Sequence, residues 1–444
     1  MSGAGSISTA GLALGLYRGL ARLGTPLVKR HLERRRVAGR EHDTRWPERL
    51  GRPGLPRPAG RLVWLHGASV GESLSLLPLI ARLKAMAPAT TVLVTTGTVT
   101  SARLMESRLT ETGGGVGALH QFAPVDLPVA VDGFLDHWRP DAAVFVESEI
   151  WPNLIDGLDR RRIPRALVNA RMSATSARRW AKLPGLAARL IGGFRPLLAQ
   201  DADSAARFSA VLGRPVPAPG NLKDAAEPLP ADPAAVAAFK AAIGARPVWL
   251  AASTHPGEET QILAADRAMR ATRPDLLTVI VPRHPERGPA IADEIRAAGL
   301  RVARRAVGEP LTRQTQVYLA DTLGELGLFF RAIPLTFIGG SLVPVGGHNL
   351  LEPARLGAAV TTGPHLGNFE SLAARFRAAG AAEIVEDAAA LARTAGQLLD
   401  DPAACERLAR AGARVAEEGR AAVEAIAAAL EPLLEPAEAS GDPS

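Results

Sequence analysis

From residue 61 onward the chain alternates short valine-rich runs with longer amphipathic stretches. Each run ends in a polar turn. The first series is "RLVWLHG" (61–67), "TVLVTTG" (91–97), "AAVFVES" (142–148), "RALVNAR" (165–171) and "PLLAQ" (196–200). Runs that are apolar at consecutive rather than alternate positions suit strands buried on both faces, as in a parallel sheet covered by helices. Intervening stretches such as "SLSLLPLIARLKAM" (73–86) supply those helices. A Pro/Ala/Asp-rich passage, "DAAEPLPADPAA" (224–235), interrupts the pattern and reads as a linker. A second series then follows: "PVWLAAS" (247–253), "LTVIVPR" (277–283), "TQVYLAD" (315–321), "LTFIGGS" (335–341) and "AAVTTG" (358–363). The prediction is an α/β protein of two doubly wound, Rossmann-like domains facing an interdomain cleft. Ligands of such sheets bind beyond the carboxyl ends of the strands.

Composition narrows the function classes. A single cysteine, Cys405, leaves no disulfide framework and no thiolate metal cluster. Aromatic residues make up 4% of the chain, too few for base-stacking platforms, so no nucleic-acid partner is expected. Lys+Arg number 52 against 45 Asp+Glu, and "KRHLERRRVAGR" (29–40) holds much of the excess. Directly before it, Leu12, Leu16, Leu20, Leu23 and Leu27 recur at spacings of four, four, three and four, one face of a helix. A transmembrane span needs about 20 mostly apolar residues, and Arg18 and Arg22 interrupt this one. An apolar helix followed by basic residues reads as an interfacial anchor on an anionic leaflet; the alternative is a helix packed on the protein's own domain. The expected organisation is a membrane-associating segment (1–50), a Rossmann-like domain (51–223), the linker (224–235), a second Rossmann-like domain with C-terminal helices (236–432), and a flexible tail (433–444).

Polar residues cluster in the turns after the strands. "WLHGASVGES" (64–73) begins like a phosphate-binding loop, yet it lacks the lysine of G-x-x-x-x-G-K-[ST] and carries Glu72 instead. A helix N-terminus favours that anion by roughly 0.3–1 kcal/mol. Glu72 is therefore either a base for an attacking hydroxyl or simply a helix N-terminal carboxylate. In "VESEIWPN" (146–153), Glu147 and Glu149 share a face if the strand continues through them, and they then converge. Asp201 and Asp203 imitate a D-x-D metal motif but read better as a helix cap. In "GGSLVPVGGHNLLEP" (339–353) glycines admit a ligand to the backbone, and a helix starting near Asn349 aims N–H groups at a phosphate. Glu352 is placed to take ribose hydroxyls, and Arg283 to pair with a phosphate. His255, His284 and His348 lie in these loops at spacings that match no metal site.

Taken in order, "WLHGASVGE", "FVESEIWPN", "NARMS", "GNLK", "STHPGEE", "PRHPER", "DTLGEL" and "GGSLVPVGGHNLLEPA" resemble the 3-deoxy-D-manno-octulosonic acid (Kdo) transferases of lipopolysaccharide assembly. The resemblance implies a GT-B fold and an inverting transfer of Kdo from CMP-Kdo to a lipid A precursor (lipid IVA). The expected place is the cytoplasmic face of the inner membrane, with no metal or other cofactor. It makes Glu72 the catalytic base and places CMP on Pro282, Arg283, Leu323, Gly324, Glu325, Asn349, Leu350, Leu351 and Glu352. It puts Glu147, Lys223, Ser253 and His255 near the sugar or the acceptor. Another sugar-nucleotide enzyme and a catalytically silent sugar-lipid binder are the alternative classes.

Overall fold

The computed structural model describes residues 9–111, 118–225 and 227–435. The chain divides into two compact units, one built from the residues before Glu227 together with those from Gly419 on, the other from Glu227–Glu418.

The first unit is a six-stranded sheet in the order β3-β2-β1-β4-β5-β6, every pair parallel. Its strands are β1 (Leu62–His66), β2 (Thr91–Thr96), β3 (Ala118–Phe122), β4 (Ala142–Val146), β5 (Arg165–Ala170) and β6 (Leu197–Ala199). The helices are α1 (Thr9–Leu23), α2 (Thr25–Val37), α3 (Val70–Met86), α4 (Val99–Glu111), α5 (Pro128–Trp138), α6 (Pro152–Arg160), α7 (Ala174–Ala181), α8 (Pro184–Leu190) and α9 (Ala202–Leu212). Alternate side chains feed two cores. Leu62 and Trp64 pack with Phe134, Phe145 and Phe194 on one face, Val63 and Leu65 with Leu76, Ile80 and Val144 on the other. β3 was not among the expected strands, because "ALHQF" lacks the valine-rich signature; it is an edge strand.

The second unit is a seven-stranded parallel sheet, β13-β12-β11-β7-β8-β10-β9. Its strands are β7 (Val248–Thr254), β8 (Leu277–Pro282), β9 (Val302–Arg304), β10 (Val317–Leu319), β11 (Leu335–Ile338), β12 (Ala359–Thr362) and β13 (Ala382–Ile384). The helices are α10 (Pro233–Ile243), α11 (Glu258–Arg270), α12 (Gly288–Ala297), α13 (Leu326–Ala332), α14 (Leu351–Arg355), α15 (Glu370–Ala378), α16 (Ala388–Asp400) and the long α17 (Pro402–Leu430). α17 departs from the expected organisation, which kept the C-terminal helices with the second domain. Its last turns belong to the first unit, because Val423, Ile426, Ala427 and Leu430 are buried in the core that holds Val63 and Leu65. Most of the tail expected over 433–444 lies outside the described residues, as do residues 1–8 of the N-terminal segment.

In each sheet the strand order reverses once, between β1 and β4 and between β7 and β11. These switch points leave a crevice at the carboxyl ends of the strands, where the turns of interest sit.

α1 lies on the first unit with one side only. Leu14 is buried, Arg18 pairs with Asp132 and Asp156, and the Tyr17 hydroxyl donates to Asp126 (2.9 Å). Leu12, Leu16 and Leu20, with Leu23 at its end and Leu27 on α2, are left exposed. No helix among the described residues is long and apolar enough to cross a membrane.

Candidate active site

In the first unit, β1 ends at His66 and the chain turns through Gly67, Ala68 and Ser69 into α3. Ser69 is the N-cap, its Oγ accepting the Glu72 N–H (3.3 Å). The Glu72 carboxylate folds back over the turn, accepting from the Ala68 N–H (2.8 Å) and the Ser69 hydroxyl (2.7 Å). That is a variant of the capping box, with the N–H before the cap in place of the cap's own, and Glu72 is buried to 9% exposure at the mouth of the switch point. Gly67 makes room for this fold-back, since a Cβ there would stand 3.2 Å from that of Glu72, closer than an ordinary contact.

Across the switch point, β4 ends at Val146 and Glu147 takes a left-handed φ of 61°. The expected convergence of Glu147 and Glu149 does not occur, because the strand stops before the pair and its period-two geometry is lost. Glu147 turns to Lys223 (2.5 Å), whose Cε lies 3.8 Å from the position a Cβ on Gly71 would take. Lys223, paired with Glu147, therefore lies beside the first turn of α3, which carries Glu72. Glu149 instead accepts from the exposed Trp151 indole (2.6 Å) and meets His66 Nε2 (3.3 Å), while His66 Nδ1 meets Thr95 Oγ1 (2.8 Å). Burial pushes the Glu149 carboxyl up, but the His66 and Trp151 hydrogen bonds outweigh it and the net shift is downward. His66 was not singled out from sequence; a histidine closing a strand just before a glycine turn was the signal.

In the second unit a cavity of about 360 Å³ opens at the carboxyl ends of β7 and β8, lined by Ser253, Arg283, Gly324, His348, Asn349 and Glu352 among others. Ser253 has a left-handed φ of 58° that breaks β7 open toward the cavity. Arg283 is exposed and makes no ion pair among the described residues. Pro282 is buried beside it. Asn349 Oδ1 accepts the Leu351 N–H (3.0 Å), and its Nδ2 donates to Glu352 (3.4 Å). Burial raises the Glu352 carboxyl above its ordinary value. Leu350 and Leu351 are core residues, their side chains packed away from solvent. Leu323 is fully outward at 79% exposure, and Gly324 turns with a φ of 80°. Glu325 is engaged by Arg305 through two hydrogen bonds (2.5 and 2.6 Å), which hold its carboxyl low. The arrangement gathers Ser253, Arg283, Gly324, Asn349 and Glu352 at one cavity and leaves the Glu325 carboxylate in an ion pair.

Two further carboxylates, both in "STHPGEE", brace the loops beside this cavity. Glu258, fully buried, accepts four backbone N–H groups, from His255, Gly340, Ser341 and Leu342, and so ties the "GGS" loop to the start of α11. Glu259 accepts from Thr254 (2.7 Å) and both arms of Arg287 (2.8 and 2.9 Å). His255 and His348 meet at Nε2 (2.9 Å), with His284 edge-on to His255. Asp201 caps α9 by accepting the Ser204 N–H (2.6 Å), and Asp203 pairs with Arg207, as the cap reading expects.

The family model described as "3-Deoxy-D-manno-octulosonic-acid transferase (kdotransferase)" matches residues 44–226. A probable mitochondrial 3-deoxy-D-manno-octulosonic acid transferase of Arabidopsis thaliana is 39% identical over 366 residues, 80% of this chain and 81% of that one. The 3-deoxy-D-manno-octulosonic acid transferase of Haemophilus influenzae is 35% identical over 430 residues, covering 94% of this chain and 98% of its relative. Among solved structures, the UDP-GlcNAc 2-epimerase of Neisseria meningitidis superposes with a TM-score of 0.53 at 14% identity over 83% of this chain and 99% of its own, a likeness of fold. With two parallel, doubly wound units of the GT-B type and relatives that match nearly its whole length, the chain belongs to the 3-deoxy-D-manno-octulosonic acid transferases, a family of glycosyltransferases.

Proposed function

We propose that this glycosyltransferase moves Kdo from CMP-Kdo to a lipid A precursor, lipid IVA, with Glu72 as general base and inversion at the anomeric carbon. The observation that carries the reading is the Glu72 carboxylate, held by two hydrogen bonds at the switch point, with the Lys223–Glu147 pair beside the helix turn that carries it. Those bonds orient the carboxylate and leave lone pairs to accept a proton. In the step, an acceptor hydroxyl oxygen attacks the anomeric carbon and its proton passes to Glu72. The bond from that carbon to the phosphate oxygen breaks, and its electron pair leaves with CMP. Lys223 is the cation placed to stabilise charge near the reacting sugar, with Glu147 positioning it. Acceptor activation falls to the first unit and donor binding to the second, where the exposed Arg283 guanidinium, Ser253, Asn349 and Glu352 line one cavity. Pro282, Leu323, Gly324, Leu350 and Leu351 contribute surface and backbone to the same region, and His255 stands against His348, which lines it.

The reading also places the enzyme on the cytoplasmic leaflet through α1 and α2. The exposed leucines from Leu12 to Leu27 and the exposed Lys29, Arg30 and Arg34 support this, since apolar area and basic charge together give interfacial binding.

The test is transfer itself. The purified full-length protein is given CMP-Kdo, generated in situ, and tetraacylated lipid A precursor, and the lipid is weighed by mass spectrometry. A gain of whole Kdo units is expected, and loss of Glu72 as base slows it by at least ~100-fold. Glu72→Gln should therefore retain CMP binding while losing turnover. Equal loss of both would make Glu72 a structural cap, and no product on this acceptor would reject the acceptor assignment.

A further inference from the structure

His348 lines the cavity of the second unit, and His255 meets it from the other side of the switch point, one following β11 and the other β7. Their Nε2 atoms are 2.9 Å apart and their rings nearly parallel, at 15° with centroids 5.1 Å apart. Gly340 is fitted to the pair: at its φ of 66°, a Cβ would lie 3.0 Å from His348 and 3.4 Å from His255. Two imidazole nitrogens this close share one proton, because two N–H groups or two bare lone pairs would repel. One ring then carries Nε2–H and a bare Nδ1, and the other carries Nδ1–H. Neither Nδ1 makes a hydrogen bond to another described residue. A single added proton, placed on the bare Nδ1, preserves the bond between the rings and turns both Nδ1 atoms into donors. A second added proton breaks it.

Two carboxylates, Glu258 and then Glu259, favour the charged form of His255 from nearby, but neither bonds to a ring nitrogen of the pair. From α11, Glu258 is spent on four backbone N–H groups and Glu259 on Arg287 and Thr254. From the turn after β8 come Arg283, His284 and Arg287, and His284 itself faces Glu286 (3.5 Å). Glu352 on α14 lines the same cavity, where burial favours its neutral form. Burial first, then His255, Arg283 and His284, press the His348 imidazole down to about 4, and burial holds His255 below its ordinary value. An anion entering the cavity acts on both rings in the opposite sense.

Resting on the donor assignment above, we propose that His255 and His348 are an anion clamp: neutral without an anion, the pair takes up one proton as a phosphate enters. The ligand class is a sugar nucleotide or nucleoside monophosphate. Breaking the sugar–phosphate bond turns a singly charged phosphodiester into a phosphomonoester of higher charge. The proton already on the clamp offsets part of that charge without a co-reactant, while the acceptor's proton goes to the base.

The experiment is calorimetric titration of the full chain with CMP at about pH 7.5, in buffers of differing ionisation enthalpy, where an ordinary histidine is neutral. Linked protonation of the clamp predicts uptake of roughly 0.5–1 proton per CMP. Cytidine, lacking the phosphate, should bind without uptake. His348→Gln keeps an Nε donor against His255 but has no titratable Nδ1, so uptake should vanish and CMP affinity fall by about tenfold at neutral pH. His255→Gln makes the same test should the first variant fail to fold. CMP binding with buffer-independent heat overturns the clamp alone, as does uptake that persists in both variants. Failure of CMP to bind overturns the donor assignment along with it.

Discussion

His120, on β3, has Nδ1 3.2 Å from Nη2 of Arg45 and Nε2 3.0 Å from Thr96 Oγ1. The guanidinium can only donate, so Nδ1 accepts and the proton sits on Nε2. Burial, helped by the Arg45 charge, drives this imidazole down to about 3. In the unfolded chain it titrates near ~6.5. Between those values the unfolded state holds the extra proton, so the stability tied to neutral His120 is complete above about pH 6.5 and declines as pH falls toward 3. His120→Gln should therefore flatten the acid limb of a urea-midpoint-against-pH curve, and identical slopes for both proteins would reject this account. At this scale the sequence was legible in part. Asp201 as a cap follows from its type and place, whereas the convergence expected of Glu147 and Glu149 fails because nothing local announces that β4 stops at Val146. Three of the four N–H groups gathered by Glu258 come from a loop about eighty residues away, which no spacing rule reports.

Among the elements, the strands of both sheets were the most legible, since burial on both faces writes itself as unbroken apolar runs. The short edge strands β3, β9 and β13 escaped because an edge needs fewer apolar residues. α1 shows the limit from the other side. Its leucine spacing was plain, but the side that meets the protein carries Leu14 and Arg18, and the leucine stripe is the side left over. Each exposed leucine of that stripe adds membrane affinity and little folding stability. Leu16→Glu with Leu20→Glu, at 67% and 59% exposure in the native protein, should leave the urea midpoint almost unmoved, since surface changes stay within about ±0.5 kcal/mol each. Binding to vesicles containing anionic phospholipid, followed by sedimentation, should fall by at least ~10-fold through lost apolar insertion and added negative charge. Unchanged sedimentation of the double variant would show that another surface meets the lipid.

For the molecule as a whole, two doubly wound units were legible from the repeated strand–turn–helix pattern and its interruption near residue 226. The return of α17 to the first unit was not legible, because an amphipathic helix carries no record of which sheet it covers. The same division frames the question of a metal. In many sugar transfers a D-x-D pair brings a divalent cation to the leaving phosphate. Here Asp201 is a helix cap and Asp203 is tied to Arg207, both in the first unit, while the cavity assigned to the donor lies in the second. We propose that Arg283 supplies the positive charge instead, its planar fork matching two phosphate oxygens. Dialysis against a chelator should then leave the transfer rate within about twofold, whereas Arg283→Ala should raise the donor KM by roughly tenfold or more, the cost of one charge-assisted bidentate contact. Arg283→Lys should recover only part of that loss, because a point charge does not reproduce the fork. Loss of turnover on chelation, restored by magnesium, would return the phosphate to a metal and make Arg283 a bystander at the rim of the cavity.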